Sequence, residues 1–356
     1  MNSKPSDNAA LSALSQHIKT VARELGFSAC GIARAEAVDA PTAAALQRWL
    51  DSGGPATMHY MSQHTSLRLD PRLLMPEAES IVCVALNYAP AVTPPPDEYQ
   101  FAAYALGRDY HDIVKQKLHQ LAAAINLHLS SLDLHPSSPT LHPLSLILHP
   151  FSYRAFCDSA PILERYWAER AGIGWIGRNH QLIIPHAGSM FFLGELLLNV
   201  PLAYDAPMPN RCGTCQACID ACPTAALSSP TGDADRIPFD ASRCLSYQTI
   251  ENREALSPLA ASTMGNTIYG CDRCQQACPW NRFAQPNTTP ELQPSDELLG
   301  MTREQWHQLS EDDYRRLFRH SAVKRAKYNG LKRNIDAARQ EEEKHRSACQ
   351  DDKEQC

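Results

Sequence analysis

The chain has 356 residues, 44% of them apolar and 20% charged, and 33 Lys and Arg against 39 Asp and Glu leave a net charge of −6. That length supports about two domains and buries a real core without covalent staples. The composition is that of an ordinary soluble globular protein. The acidic balance excludes a generally basic nucleic-acid binder, so any such role must rest on a local patch. Met1–Ala9 is polar, with no apolar leader and no twin-Arg signal, and the most apolar stretch, Met190–Leu202, is interrupted by Glu195 and too short to span a bilayer. A cytoplasmic protein is therefore expected. There thiols stay reduced, so 13 cysteines, eight of them between Cys212 and Cys278, point to metal or cluster ligation rather than disulfides.

Helical spacing of Leu11, Leu14, Ile18, Val21 and Leu25 predicts a helix over Ala10–Leu25 that stops at Gly26. Ser28–Ile32 follows as a strand, Thr42–Trp49 as a helix closed by Ser52-Gly53-Gly54-Pro55, and Ser80–Tyr88 as a buried strand. A Pro-rich loop, Pro90–Pro96, precedes a long helix over Asp109–His128. In Leu127–Pro150, His128, His135, His142 and His149 recur every seven residues, the last three each before Pro. Each Pro breaks helical register, so the four imidazoles do not share a face, and a low-complexity surface insertion is the reading over a metal site.

Phe151–Phe156 reads as a strand, and Asp158-Ser159-Ala160-Pro161 as the opening of a helix running to Arg170. Gly172-x-Gly174-x-x-Gly177 matches a dinucleotide fingerprint but follows a helix and precedes a strand, so that reading is rejected. Gln181–Ile184 and Ser189–Val200 read as a hairpin around His186-Ala187-Gly188, which ends an α/β or α+β domain near Pro209. Thr302–Gln340 is helical by pattern and Glu341–Cys356 is expected to be frayed.

Cys212-x2-Cys215-x2-Cys218-x3-Cys222-Pro223 is the bacterial ferredoxin run. Three of its thiolates cap three corners of one cubane, and the fourth, already entering a helix, ligates a second cluster. A second set is therefore required, and Cys271-x2-Cys274-x3-Cys278-Pro279 with Cys244 supplies it. By this crossing, Cys212, Cys215, Cys218 and Cys278 hold one [4Fe–4S] cluster, and Cys222, Cys244, Cys271 and Cys274 the other. A pair of zinc sites is the competing reading, but zinc does not need the x3-Cys-Pro ending twice. Two clusters in series deliver electrons one at a time. Cys30 and Cys83 fall in strands as buried inert thiols; Cys157 has no base beside it in sequence, and Cys349 and Cys356 are uninformative.

Several blocks, in order, resemble epoxyqueuosine reductase: Tyr104-Ala-Leu-Gly-Arg-Asp-Tyr-His111, Asp158-Ser-Ala-Pro-Ile-Leu-Glu-Arg165, Gly172-Ile-Gly-Trp-Ile-Gly177, Ser189-Met-Phe-Phe-Leu-Gly-Glu195 and Tyr269-Gly-Cys-Asp-Arg-Cys-Gln-Gln-Ala-Cys-Pro-Trp-Asn281. The likeness runs from about Leu11 to about Asn334. It implies an oxidoreductase that completes queuosine at the wobble position of tRNA, using cobalamin fed by the two clusters. It implies an α+β chain: a cobalamin-binding α/β domain over 1–205, related to reductive dehalogenases and cobalamin-processing proteins, with 127–150 inserted; a two-cluster ferredoxin-like domain over 206–290; a basic helical tRNA-contacting region over 291–340; and a disordered tail over 341–356. A monomer and a low-potential electron donor go with it.

On sequence alone Asp158 is a helix cap; the resemblance makes it the proton donor, with burial expected to raise its pKa toward neutrality. Cobalamin contacts carry over to Leu182, Leu193, Ser246 and Asp272, and to Gln63, which stands where the family commonly has Arg. Asp109-x-His111-x-x-Val114 matches half of a cobalamin signature, with Val114 where Gly is needed, so no His ligand on cobalt is expected. Arg315, Arg316, Arg319, Lys324, Arg325, Lys327, Lys332 and Arg333 run without an acid between them, interleaved with Phe318 and Tyr328, and are read as the grip on the anticodon stem-loop. A corrinoid reductive dehalogenase and a plain electron-transfer ferredoxin are the alternatives; the first has no use for the basic segment and the second none for a corrin.

Overall fold

The computed structural model describes residues 5–133, 150–227 and 239–354. It forms two compact units, one of residues 1–47, 60–87 and 110–213 and the other of 48–59, 88–109 and 214–356. The units are thus not consecutive blocks of chain: 48–59 and 88–109 leave the first core to complete the second.

In the first unit, α1 (Pro5–Glu24) leads into β1 (Ala29–Arg34), and the chain returns as β2 (Ser80–Asn87). Then come α2 (Tyr110–Asp133), β3 (Tyr153–Phe156), α3 (Glu164–Arg170), the short strands β4 (Trp175–Ile176) and β5 (Leu182–Ile183), and β6 (Phe191–Leu198). The sheet is antiparallel throughout, in the order β1-β2-β6-β3. The expected hairpin is replaced by other pairings: β5 pairs with β4, and β6 becomes a central strand between β2 and β3. Only an isolated bridge from Ile184 to Gly188 marks the local turn. An eight-residue strand buried on both faces gains more from two flanking strands than from a two-residue partner.

The two faces of β6 alternate with period two. Gly194 faces α2 so closely that a Cβ there would stand 2.8 Å from Val114 Cγ1. Val114 is fully buried, which explains why it is not a ligand-loop glycine. The opposite face carries Leu197 and Leu193 into a core with Ile81, Cys83, Ala85, Phe156, Tyr166 and Trp167. Glu195 shares that face and is wholly buried. Gly174 follows α3, and a Cβ there would meet the Ile183 carbonyl oxygen at 2.2 Å, so this glycine is a packing device, as its reversed context implied.

The second unit is built on aromatic packing. Phe101 lies 5.4 Å from Trp306 and 5.9 Å from Phe318, ring centre to ring centre. The strand Gln100–Phe101 pairs in parallel with Thr267–Tyr269. α4 (Ala217–Asp220), α5 (Leu245–Ile250) and α6 (Arg273–Gln276) carry the cysteine segments. The segment Thr302–Gln340 is broken, not continuous: Arg303–His307, α7 (Glu311–Leu317), a 3-10 turn Ala322–Ala326 and α8 (Lys327–Glu354). Ser310 and Ser321 accept backbone N–H bonds and restart the chain at each break. These pieces share one core with Tyr269, Leu245 and Ile268, so 291–340 is not a body of its own. The tail expected to be disordered is helical as far as Glu354, with Arg339–Glu343 and Lys344–Glu341 pairs along it. Three of the periodic histidines, His135, His142 and His149, lie outside the described residues; His128 is in α2, stacked on His17 at 4.0 Å.

Candidate functional site

Asp158 is not a helix cap. It stands in a left-handed conformation, φ 52°, and α3 begins only at Glu164. Its carboxylate Oδ2 accepts a 2.5 Å bond from Tyr110 Oη and lies 3.6 Å from His111 Nε2. Tyr110 is itself fixed by stacking on Phe192, ring centres 4.1 Å apart. The β3–β6 pairing ends at Phe156 opposite Glu195, two residues before Asp158. Tyr110 and His111 are the site residues that the sequence did not single out; the half-matched signature around Asp109 was their signal.

The expected pKa of Asp158 is reversed. Crowding by protein raises it, but hydrogen bonds from His111 and Tyr110, and the nearby charges of His111 and Arg165, outweigh that and hold it below the usual carboxylate range. Desolvation is the largest single influence on it, and only those bonds and charges together exceed it. Burial prevails on two acids that the sequence reading passed over. Glu164, whose Oε1 accepts the Asp158 backbone N–H, is pushed up to about 7, first by desolvation and then by the charge of Asp158. Glu195 is raised well above its ordinary value by burial and by Glu164.

A raised folded-state pKa means that the folded protein binds protons the unfolded chain has released, so this contribution is complete below about pH 4.5 and lost as pH rises toward 7. Glu164 is only half-buried, so solvent reduces the swing to about 1–3 kcal/mol. Denaturant titrations of the wild type and Glu164→Gln across that window should show the wild type losing that much more stability; parallel curves would refute the assignment.

In the second unit, the sulfurs of one predicted cluster set converge. Cys244 is near enough to Cys222 to feel its charge, Cys271 to Cys244, and Cys274 to Cys271, Cys244 and, from the other set, Cys218. Burial pushes the Cys271 thiol up to about 11. Iron would reverse that by stabilising thiolate. A donor set of thiols alone, on short loops before helices, fits iron–sulfur cubanes. Asp272, between the cysteines, accepts the Ala103 N–H at 2.6 Å and is pushed up to about 6 by burial. Ser246 is half-buried on α5 and Gln63 exposed. Leu182 is buried in the core and Leu193 half-buried beside it. Cys30, Cys83 and Cys157 are inert: burial raises all three thiols, Cys30 to about 12.

The basic segment is less free than its sequence suggested. Arg315 pairs with Glu311, Arg316 with Glu297 and Asp313, Arg325 with Glu251, and Lys332 with Asp336. Arg333 is spent on the Gln248, Asn252 and Glu254 carbonyls. Arg319, Lys324 and Lys327 stand exposed, with no ion pair among the described residues.

Residues 211–281 match the family model described as a 4Fe-4S double cluster binding domain, and 68–159 match epoxyqueuosine reductase QueG, DUF1730. The epoxyqueuosine reductase of Cellulophaga algicola is 39% identical over 319 residues, covering 90% of this chain and 96% of that protein. This chain belongs to the epoxyqueuosine reductase family. The Escherichia coli relative is 37% identical and covers 92% of this chain and 81% of its own. A crystal structure of epoxyqueuosine reductase with an epoxyqueuosine-modified tRNA-Tyr stem loop superposes with a TM-score of 0.78 at 27% identity, over 92% of this chain and 80% of that one. The family's α+β fold and its double [4Fe–4S] domain are therefore those of this chain. Among the described residues no helix is long and apolar enough to cross a membrane.

Proposed function

We propose that this chain reduces epoxyqueuosine to queuosine in tRNA, with Asp158 as the acid at the opening epoxide. The reaction removes the epoxide oxygen as water and consumes two electrons and two protons. The observation that carries the reading is Asp158 itself: an exposed carboxylate held by Tyr110 and faced by His111. Cobalamin, fed with single electrons by the two clusters, would supply the reducing equivalents to the substrate. The residues present fit that group: half-buried Phe191 and Leu193, two residues apart on one face of β6, offer it apolar surface. Leu182, Gln63, Ser246 and Asp272 are its remaining proposed contacts. Tyr110 and His111 orient the Asp158 carboxyl and are placed to hand it the proton that it passes to the opening epoxide.

The clusters are assigned as Cys212, Cys215, Cys218 and Cys278, and Cys222, Cys244, Cys271 and Cys274. Of the eight cations, Arg319, Lys324 and Lys327 are the ones available to phosphates; Arg315, Arg316, Arg325 and Lys332 would first have to leave their acids, and Arg333 holds the fold. Purified protein with both clusters, cobalamin and a chemical reductant should convert an epoxyqueuosine stem-loop, read by nucleoside mass spectrometry. Binding of the stem-loop should weaken steeply with salt, and reversing Arg319, Lys324 and Lys327 together to Glu should cost about tenfold or more in affinity at low salt and flatten the salt slope. Absence of queuosine sinks the activity; an unchanged slope sinks the patch.

A further inference from the structure

Asp158 occupies a backbone conformation that L residues rarely hold without support on both sides. One side of that support is its carboxylate, bound by Tyr110. The other is its backbone N–H, which donates to Oε1 of Glu164 at the head of α3. Glu164 in turn meets Glu195, a fully buried residue on the central strand β6, opposite Cys83 of β2 and Phe156 of β3. Among the described residues no N–H or hydroxyl reaches either Glu195 oxygen. The group within its hydrogen-bonding reach is the carboxyl of Glu164. Two carboxyls meet productively only when a proton lies between them, because two buried carboxylates repel and neither is solvated. The groups around the pair are Asp158, Arg165 and His111 on the Glu164 side and the buried thiols of Cys83 and Cys157, and among the described residues none supplies Glu195 with a cation in contact.

We propose that Glu164 and Glu195 share one proton and together latch the Asp158 backbone in the conformation that aims its carboxylate. Glu195 donates its O–H to Glu164, and the charge left on Glu164 accepts the Asp158 N–H. Both are positioning residues: neither touches the substrate. A neutral Glu195 is thereby the reason a carboxyl sits in the middle of an apolar sheet, and the proton is held for geometry rather than consumed. The inference rests on Asp158 being the reactive acid only for its consequence in turnover; the latch itself is tested apart from it.

Hydrogen–deuterium exchange of the full chain, clusters in place, reads the Asp158 amide directly. Glu164→Leu and Glu195→Leu should speed its exchange by at least about tenfold. Glu195→Gln keeps a neutral donor toward Glu164 and should hold exchange within about threefold of wild type. Turnover should follow, with kcat falling in Glu195→Leu at nearly constant KM and recovering in Glu195→Gln. Infrared spectra at neutral pH should show a protonated-carboxyl band that Glu195→Gln abolishes. If Glu164→Leu does not fold, Glu164→Asp, one methylene too short to reach both partners, should give the same faster exchange. Unchanged exchange in the Leu or Asp variants, equal exchange in Glu195→Gln and Glu195→Leu, or no protonated-carboxyl band in the wild type would each overturn the latch. If the latch holds while Asp158→Asn still turns over normally, the reading of Asp158 fails instead.

Discussion

Replacing Asp158 by Asn will slow conversion of epoxyqueuosine by about 10²–10⁴-fold while leaving the fold and the cluster content intact. Asn matches Asp in size, its backbone N–H still reaches Glu164, and Tyr110 Oη still has an oxygen to donate to. What disappears is the exchangeable carboxyl proton at the epoxide. Affinity for the stem-loop should not move, because the cations proposed to grip the phosphates lie at 319–327 in the sequence. Tyr110→Phe should cost less, about tenfold, because only one of two groups holding the carboxylate is lost. It also has a signature in pH. A donor to the carboxylate lowers its pKa, so removing Tyr110 Oη raises it, and the part of the rate profile governed by Asp158 shifts to higher pH. A kcat within threefold of wild type in Asp158→Asn, roughly the scatter of a single weak contact, would remove Asp158 from the chemistry.

The contrast between Asp158 and its neighbours marks where a sequence stops being informative. The double-cluster domain was legible because seven of the eight cysteines fall in two short runs with fixed spacing along the chain, Cys244 lying between them, and the helix over Pro5–Glu24, the strand over Ser80–Asn87 and the helix over Tyr110–Asp133 were legible from periodicity. The pairing of β6 was not: its partners begin 111 and 38 residues earlier, at Ser80 and Tyr153, and a turn at His186–Gly188 pointed to a nearer one. The direction of the Asp158 pKa was not legible either, because its controlling groups, Tyr110 and His111, reach it across the fold. The same holds for Arg333, which sequence places among phosphate ligands and tertiary structure spends on three carbonyls. Local signals name residue types; partners drawn from distant segments decide their charge state and availability.

The second large effect is expected at the cysteines, where it also tests which four belong together. Cys222→Ser and Cys244→Ser should each reduce iron from about eight to about four per chain and erase the same electron paramagnetic resonance signal. The expectation draws on the charge of Cys222 reaching Cys244 across 22 residues of sequence and that of Cys244 reaching Cys271 and Cys274, although Cys274 also feels Cys218. Cys278→Ser should erase the other signal together with Cys212→Ser and Cys218→Ser, although Cys278 is only four residues from Cys274. Turnover should vanish in all of these variants, since electrons arriving singly have no route once either cluster is gone. The proposed crossing follows from helix direction. Cys222 follows α4 and Cys278 follows α6, so each thiol is carried a full turn away from the loop that holds its own run. If Cys222→Ser and Cys278→Ser erase one and the same signal, the runs are not crossed and each motif closes on its own cluster.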